Sequence, residues 1–376
     1  MAKTRKHKKN TRTATPSVEQ VAEENSIISP WVDFLCVGGI SIIVMVGFLA
    51  FLIPNHTTGG GRVNFGDALI LQALLNWPHF MASYRLLYLP VENIKKYKSS
   101  SIFVPAALIA IIIIAIISGD GTQGGVLHVD QQISYLVWLG AAFYLAWHYT
   151  GQAWGMISSF SHLAGIKMDN LERKTIRTGL RILLAWHVVW GAQDLPEAWL
   201  GGAHQYVDDL LQLMSIAAVL ALIAGSAAFL RIKKRTGKSP TIQMLAPWLA
   251  IYLWYLVLYF EPSAYIYVQL SHSLQYLIFP LRVELNRRGY YKLDTNAAKQ
   301  LLWSTRYYVV LIASGLMFFY LPGKLFESGS QTYSIAFLIA SAISIHHYFV
   351  DSCIWKISNP DVRQSLFCHI NRKSNR

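Results

Sequence analysis

Apolar runs of roughly 18 or more residues recur along almost the whole chain, each long enough to cross a bilayer as a helix. The pattern predicts about ten spans, approximately 30–54, 66–89, 102–118, 132–158, 177–195, 207–230, 243–261, 263–282, 303–322 and 332–357. Polar punctuation divides them. NHTTGGGRVNF (55–65), GDGTQGGVLHVDQ (119–131) and LPEAWLGGAHQ (195–205) follow the first, third and fifth spans. KKYKSSS (95–101), RIKKRTGK (231–238) and NRRGYYK (286–292) follow the second, sixth and eighth. The predicted fold class is therefore all-α, a polytopic transmembrane helical bundle over 30–357. A disordered basic tail (1–29) would precede it and a basic C-terminal tail (358–376) would follow. The sequence shows neither an internal repeat nor the paired Gly/Pro-interrupted spans of inverted-repeat transporters.

Composition agrees with this reading and charge orients it. The chain is 53% hydrophobic and only 14% charged, against about 25% charged for soluble domains. Its net charge of +13 sits between the apolar runs and at the termini, which signals topology and argues against nucleic acid as a partner. The loops after the odd-numbered spans hold only Arg62 and Lys324. By the positive-inside rule both termini are then cytoplasmic, as in a multi-pass protein of a bacterial inner membrane. Cys36, Cys353 and Cys368 show neither CxxC spacing nor a disulfide framework.

Within that topology six histidines stand out, in five spans. His79, His148, His187, His272 and the pair His346–His347 lie near ten residues from the cytoplasmic ends of their helices, or roughly 15 Å deep at 1.5 Å per residue. A single histidine in a membrane helix commonly makes an interhelical hydrogen bond. A whole layer of them points instead to a polar cofactor site, because ionisable groups at that depth are costly.

Imidazole suits iron, copper or zinc, and the metal candidates are His79, His148, His187, His272, His346 and His347. His79, His148, His272 and His347 are the primary set. His187 is the weakest member, since its helix turns toward Gln193 and Asp194. His346 points about 100 degrees away from His347. It would serve a second ion or orient a ligand. Asp351 shares a helix face with His347 at i+4 and is a further ligand and catalytic candidate. Gln152, at i+4 from His148, and Asn76, three residues before His79, are orienting or substrate-contacting candidates. The aromatic run IYLWYLVLYF (251–260) reads as packing or as a pocket wall. Arg85, Arg181, Arg282 and Arg306, near cytoplasmic span ends with Glu284 close by, read as snorkelling or lipid-phosphate contacts.

Several chemistries lack their signals. No P-loop, dinucleotide fingerprint, G-x-S-x-G elbow or HExxH motif is present. Nor do the histidine boxes of membrane desaturases appear.

The blocks NWPHF (76–80), WHYTGQ (147–152), SHSLQY (271–276) and HHYFVDSCIWK (346–356) resemble those of the bacterial β-carotene dioxygenases of the bacterioopsin-related-protein type and their relatives. That resemblance implies a polytopic membrane enzyme with non-haem iron on histidines from several helices. The ten spans, the basic tail and the HHxxxD arrangement depart from the retinal-forming pattern. The expectation is an iron-dependent membrane oxygenase with one or two irons and dioxygen as co-substrate. Its partners would be membrane lipids, an electron-donor protein and a lipid-soluble carotenoid, isoprenoid or acyl-lipid substrate. The alternatives are a proton- or metal-ion-coupled transporter, a haem-binding electron-transfer protein and a purely structural membrane protein.

Overall fold

The computed structural model describes residues 26–52, 69–119, 121–123, 126–290, 297–326, 334–357 and 359–371. The first 25 residues of the expected N-terminal tail lie outside the described residues, as do the whole 55–65 loop and the last five residues.

Among the described residues twelve helices carry the fold, with one hairpin of two-residue strands, β1 (Thr122–Gln123) and β2 (Val126–Leu127). They are α1 (Pro30–Phe51), α2 (Trp77–Tyr88), α3 (Val91–Lys96), α4 (Ser99–Ile117), α5 (Gln131–Leu163) and α6 (Asn170–Ala192). Then come α7 (Glu197–Thr236), α8 (Ile242–Phe260), α9 (Tyr265–Arg287), α10 (Ala297–Leu325), α11 (Ile335–Ile354) and α12 (Pro360–Asn371). Six of them, α1, α4, α7, α8, α10 and α11, are long and apolar enough to cross a membrane. α5, α6 and α9 reach 33, 23 and 23 residues but carry more polar residues.

Two local distortions set up the interior. In α1 the helix widens to a π turn over Leu35–Gly39, where one carbonyl loses its usual partner. Gln275 of α9 donates to that freed Val37 carbonyl at 2.7 Å. Gly38 lets α1 lie against α8, since a Cβ there would meet the Ala246 carbonyl oxygen at 2.6 Å. Trp254 of α8 donates to Ser41 of α1 at 2.6 Å. The second distortion precedes α2, where a π turn (Gln72–Asn76) runs into Trp77–Pro78. Pro78 has no N–H to give the Leu74 carbonyl, and Tyr308 of α10 donates to it instead.

The remaining helices wrap this pair. α11 packs on α5, α2 and α4, α8 on α5 and α1, α10 on α2, and α6 along α7. Gly225 of α7 makes room for Trp248 of α8, whose ring would sit 2.2 Å from a Cβ placed there. The aromatic run of α8 serves as packing: Tyr252, Trp254 and Tyr255 are buried in the main core.

Where the chain was read as a C-terminal tail, α12 docks on α9 with Leu366 and Phe367 buried. The reason is a polar knot. Asn286 donates to the Ser365 and Leu366 carbonyls at 2.9 and 3.0 Å, and His369 Nε2 lies 3.0 Å from the Ser26 carbonyl. Arg282, expected to snorkel, is 2% exposed and donates from Nε to the Ile27 carbonyl at 2.6 Å. Asp33 accepts from the Ile27 and Ile28 amides at 2.6 and 2.9 Å. Arg85 pairs with Glu284 at 3.5 Å.

The start of α6 is fixed by a capping box, Asp169 accepting from Glu172 N at 2.8 Å and Glu172 from Asp169 N at 2.7 Å. Arg231 and Arg235 of α7 close over it at 2.9 Å from Asp169 and 2.7 Å from Glu172. The Glu172 amide and the Arg231 guanidinium hold the Asp169 carboxyl below the usual carboxylate range. Arg235 does the same for Glu172.

Candidate metal centre

Four helices bring the histidines of the centre together, and among the described residues His79 is the one whose Nδ1 is held by hydrogen bonds. His79 follows the Pro78 kink, and its Nδ1 lies 2.5 Å from the Asn76 carbonyl. A carbonyl only accepts, so Nδ1 carries the hydrogen and Nε2 is left with its lone pair facing inward. Ser273 of α9 lies 3.0 Å from the same Nδ1 and donates to Asn76 Oδ1 at 2.8 Å. His148 and His272 are held in register because Gln152, one turn along α5 from His148, donates to the His272 carbonyl at 3.0 Å. His347 enters from α11 and is fully buried.

The four rings converge. One ligand atom from each of His79, His148, His272 and His347 lies within 4.8 Å of every other, and all four residues are buried. His79 Nε2 is 3.2 Å from His347 Nε2, and His148 Nε2 is 3.0 Å from His272 Nε2. Two imidazole lone pairs facing each other at this distance repel unless a proton or cation lies between them. Nitrogens about 2.1 Å from a shared ion at right angles to one another are about 3.0 Å apart. The His79–His347 and His148–His272 pairs meet that spacing, and the four together could hold a metal ion.

A carboxylate completes the set at its edge. Asp351 Oδ2 lies 3.4 Å from His347 Nε2 and 3.8 Å from His148 Nε2. Its other oxygen, Oδ1, accepts from Ser83 at 2.8 Å and from Tyr276 at 3.1 Å. Trp355 in turn donates to the Tyr276 hydroxyl at 2.7 Å. One oxygen is tied back and the other is presented to the histidines.

Two of the six expected ligands are elsewhere. His346 Nε2 lies 2.8 Å from the Ser100 carbonyl and 3.3 Å from the Tyr88 hydroxyl. The turn of about 100 degrees between neighbours in a helix sends it to α4 and α2. His187 packs against Trp190 and Tyr255 at 5.6 and 5.7 Å and only lines the chamber described next. Asn76 and Gln152 orient histidines through the bonds above. Ser83 and Ser273 were not singled out from sequence; Ser83 sits at i+4 from His79, the one signal that points to it.

No family model matches this chain. No curated protein and no solved structure matches it either.

Two chambers adjoin the histidines. The wide one, about 700 Å³, is bordered by His79 and His272 and has a mostly apolar wall that includes the aromatic residues Trp77, Phe80, Trp138, Tyr149 and Phe319. It extends past Gln269 and His187 to Asp194 and Ser263. The narrow one, about 220 Å³, is bordered by His148 and Asp351 and runs past Gln152 and Ser352 to Lys356.

Proposed function

We propose that this chain is a membrane-embedded oxygenase that holds non-haem iron on His79, His148, His272 and His347. Asp351 stands beside them as a fifth donor, and dioxygen and a lipid-soluble substrate react there. The observation that carries the reading is the convergence of those five side chains beside a 700 Å³, mostly apolar chamber that His79 and His272 border. Histidine-plus-carboxylate donor sets with open positions are those of non-haem iron oxygenases. Bound iron would supply dioxygen activation and redox electrons. Four nitrogens within 4.8 Å of one another could gather on one ion.

The rest is done by the chain's own groups. Asn76 fixes the His79 ring and Gln152 the His272 main chain, Ser83 and Tyr276 hold the carboxylate, and the apolar walls exclude water while accepting a carotenoid, isoprenoid or acyl chain. The resemblance to the bacterial β-carotene dioxygenases supports the same class. The six apolar helices, with α5, α6, α9 and α2 together with the turn before it, would make the ten spans. Both termini fall on the cytoplasmic side of a bacterial inner membrane, as the Lys/Arg alternation supports, and an electron-donor protein would dock on that basic face.

Metal content and absorption of the detergent-purified protein test this. The expected result is about one iron per chain, no Soret band, and loss of iron in His347→Ala and His148→Ala. A Soret band, or well-folded protein without metal, overturns it. Chambers on both sides of the centre favour a second reading, an ion transporter. Metal or proton flux into proteoliposomes would establish that one.

A further inference from the structure

The histidine layer is a partition. Along α11, Phe337, Ala340, Ser341 and Ser344 face the wide chamber, His347 the centre, and Asp351, Ser352 and Trp355 the narrow chamber. α5 repeats the order, with Trp138 and Ala142 on the wide side, His148 at the centre, and Gln152 and Gly155 on the narrow side. The two chambers thus approach the centre from opposite ends of the bundle. Among the described residues only Tyr348 belongs to both walls, with its ring 4.7 Å from that of His148.

Their sizes and walls differ. Ligand pockets commonly run about 300–1,000 Å³; the wide chamber, at about 700 Å³, is within that range, and the narrow one, at about 220 Å³, is below it. The narrow chamber also carries a polar trail, Lys356, Ser352, Asp351 and Gln152, that ends at His148.

We propose that the two chambers serve different reactants: the wide one binds the organic substrate, and the narrow one is a separate inlet through which water-sized molecules reach the centre. This rests on the oxygenase reading. It assigns the narrow chamber to dioxygen and water, and keeps the small co-substrate's route open while a long substrate fills the other.

Glycines supply the test. Gly151 and Gly155 line the narrow chamber, and a Cβ on either meets nothing within 4 Å. The double variant Gly151→Leu/Gly155→Leu therefore fills the chamber without a clash at either Cβ. Ala340→Phe fills the wide chamber instead. The measurement is the association rate of nitric oxide with the iron of the reduced protein, with iron content measured alongside. Filling the narrow chamber should slow association about tenfold at unchanged iron content, and Ala340→Phe should leave the rate unaltered. Slowing by Ala340→Phe, alone or together with the leucine variant, overturns the assignment, as does slowing by neither. Wild-type protein that holds no iron overturns the oxygenase reading itself, a failure distinct from an unaltered rate in iron-loaded protein.

Discussion

Ser83 and Asp351, 268 residues apart in the chain, are joined by a 2.8 Å hydrogen bond that turns one carboxylate oxygen away from the histidines and the other toward them. The bond fixes the carboxylate before any metal arrives. Removing an orienting partner of a metal ligand typically costs about 10–100-fold in affinity. Ser83→Ala should weaken iron binding by about that factor. Asp351→Asn should cost at least as much, because it removes the charge as well. Competition against a chelator measures both. Equal affinity in Asp351→Asn and wild type would take the carboxylate out of the site.

The six histidines should divide four to two. Alanine at 79, 148, 272 or 347 should abolish stoichiometric metal, while His187→Ala and His346→Ala retain it. His346→Ala should still lower stability by about 1–3 kcal/mol, since it leaves the buried Ser100 carbonyl without its 2.8 Å partner. Metal analysis and thermal unfolding of the same preparations separate the two effects.

Close helix approach makes its own prediction. Gly225→Ala places a methyl 2.2 Å from Trp248 and should cost about 1–3 kcal/mol, the range for overpacking. Gly140→Ala, whose methyl meets nothing within 4 Å, should stay within about 0.5 kcal/mol. The two melting curves in one detergent give the comparison.

Acid should loosen the α6–α7 end of the bundle. Asp169 and Glu172 are held below their ordinary values in the folded protein. The stability they contribute is present above the unfolded values, about 3.9 and 4.3, and is lost as pH falls through the lower folded values. Melting temperature should therefore hold from neutral pH down to the mid-fours and drop below pH 4. In Arg235→Met the acid-dependent part of that drop should shrink.

Much of the centre was legible as depth. Counting from the basic ends of the apolar runs places His79, His148, His272 and His347 in one layer, and the fold brings those four together. Depth alone does not say which way a ring faces. His187 satisfies the depth rule and lines the wide chamber, and His346 differs from His347 by one residue yet points to another helix. The span count met a related limit. Six helices pass on length and apolarity, and three of the four that carry the centre do not: α2 has only 12 residues, and in α5 and α9 the side chains that build a polar interior lower the hydropathy by which spans are read. The docking of α12 was hidden for another reason. It depends on Asn286 meeting main-chain carbonyls about 80 residues away, which leaves no local pattern.

The distance between His79 and His347 in the chain, 268 residues, also orders the making of the centre in time. During synthesis the α2, α5 and α9 donors exist well before α11 is in place, so the nascent bundle holds at most an incomplete nest of three imidazoles. The fourth imidazole and the carboxylate arrive together on one helix. An ion held by all four imidazoles would therefore bind only once the last long helix has docked.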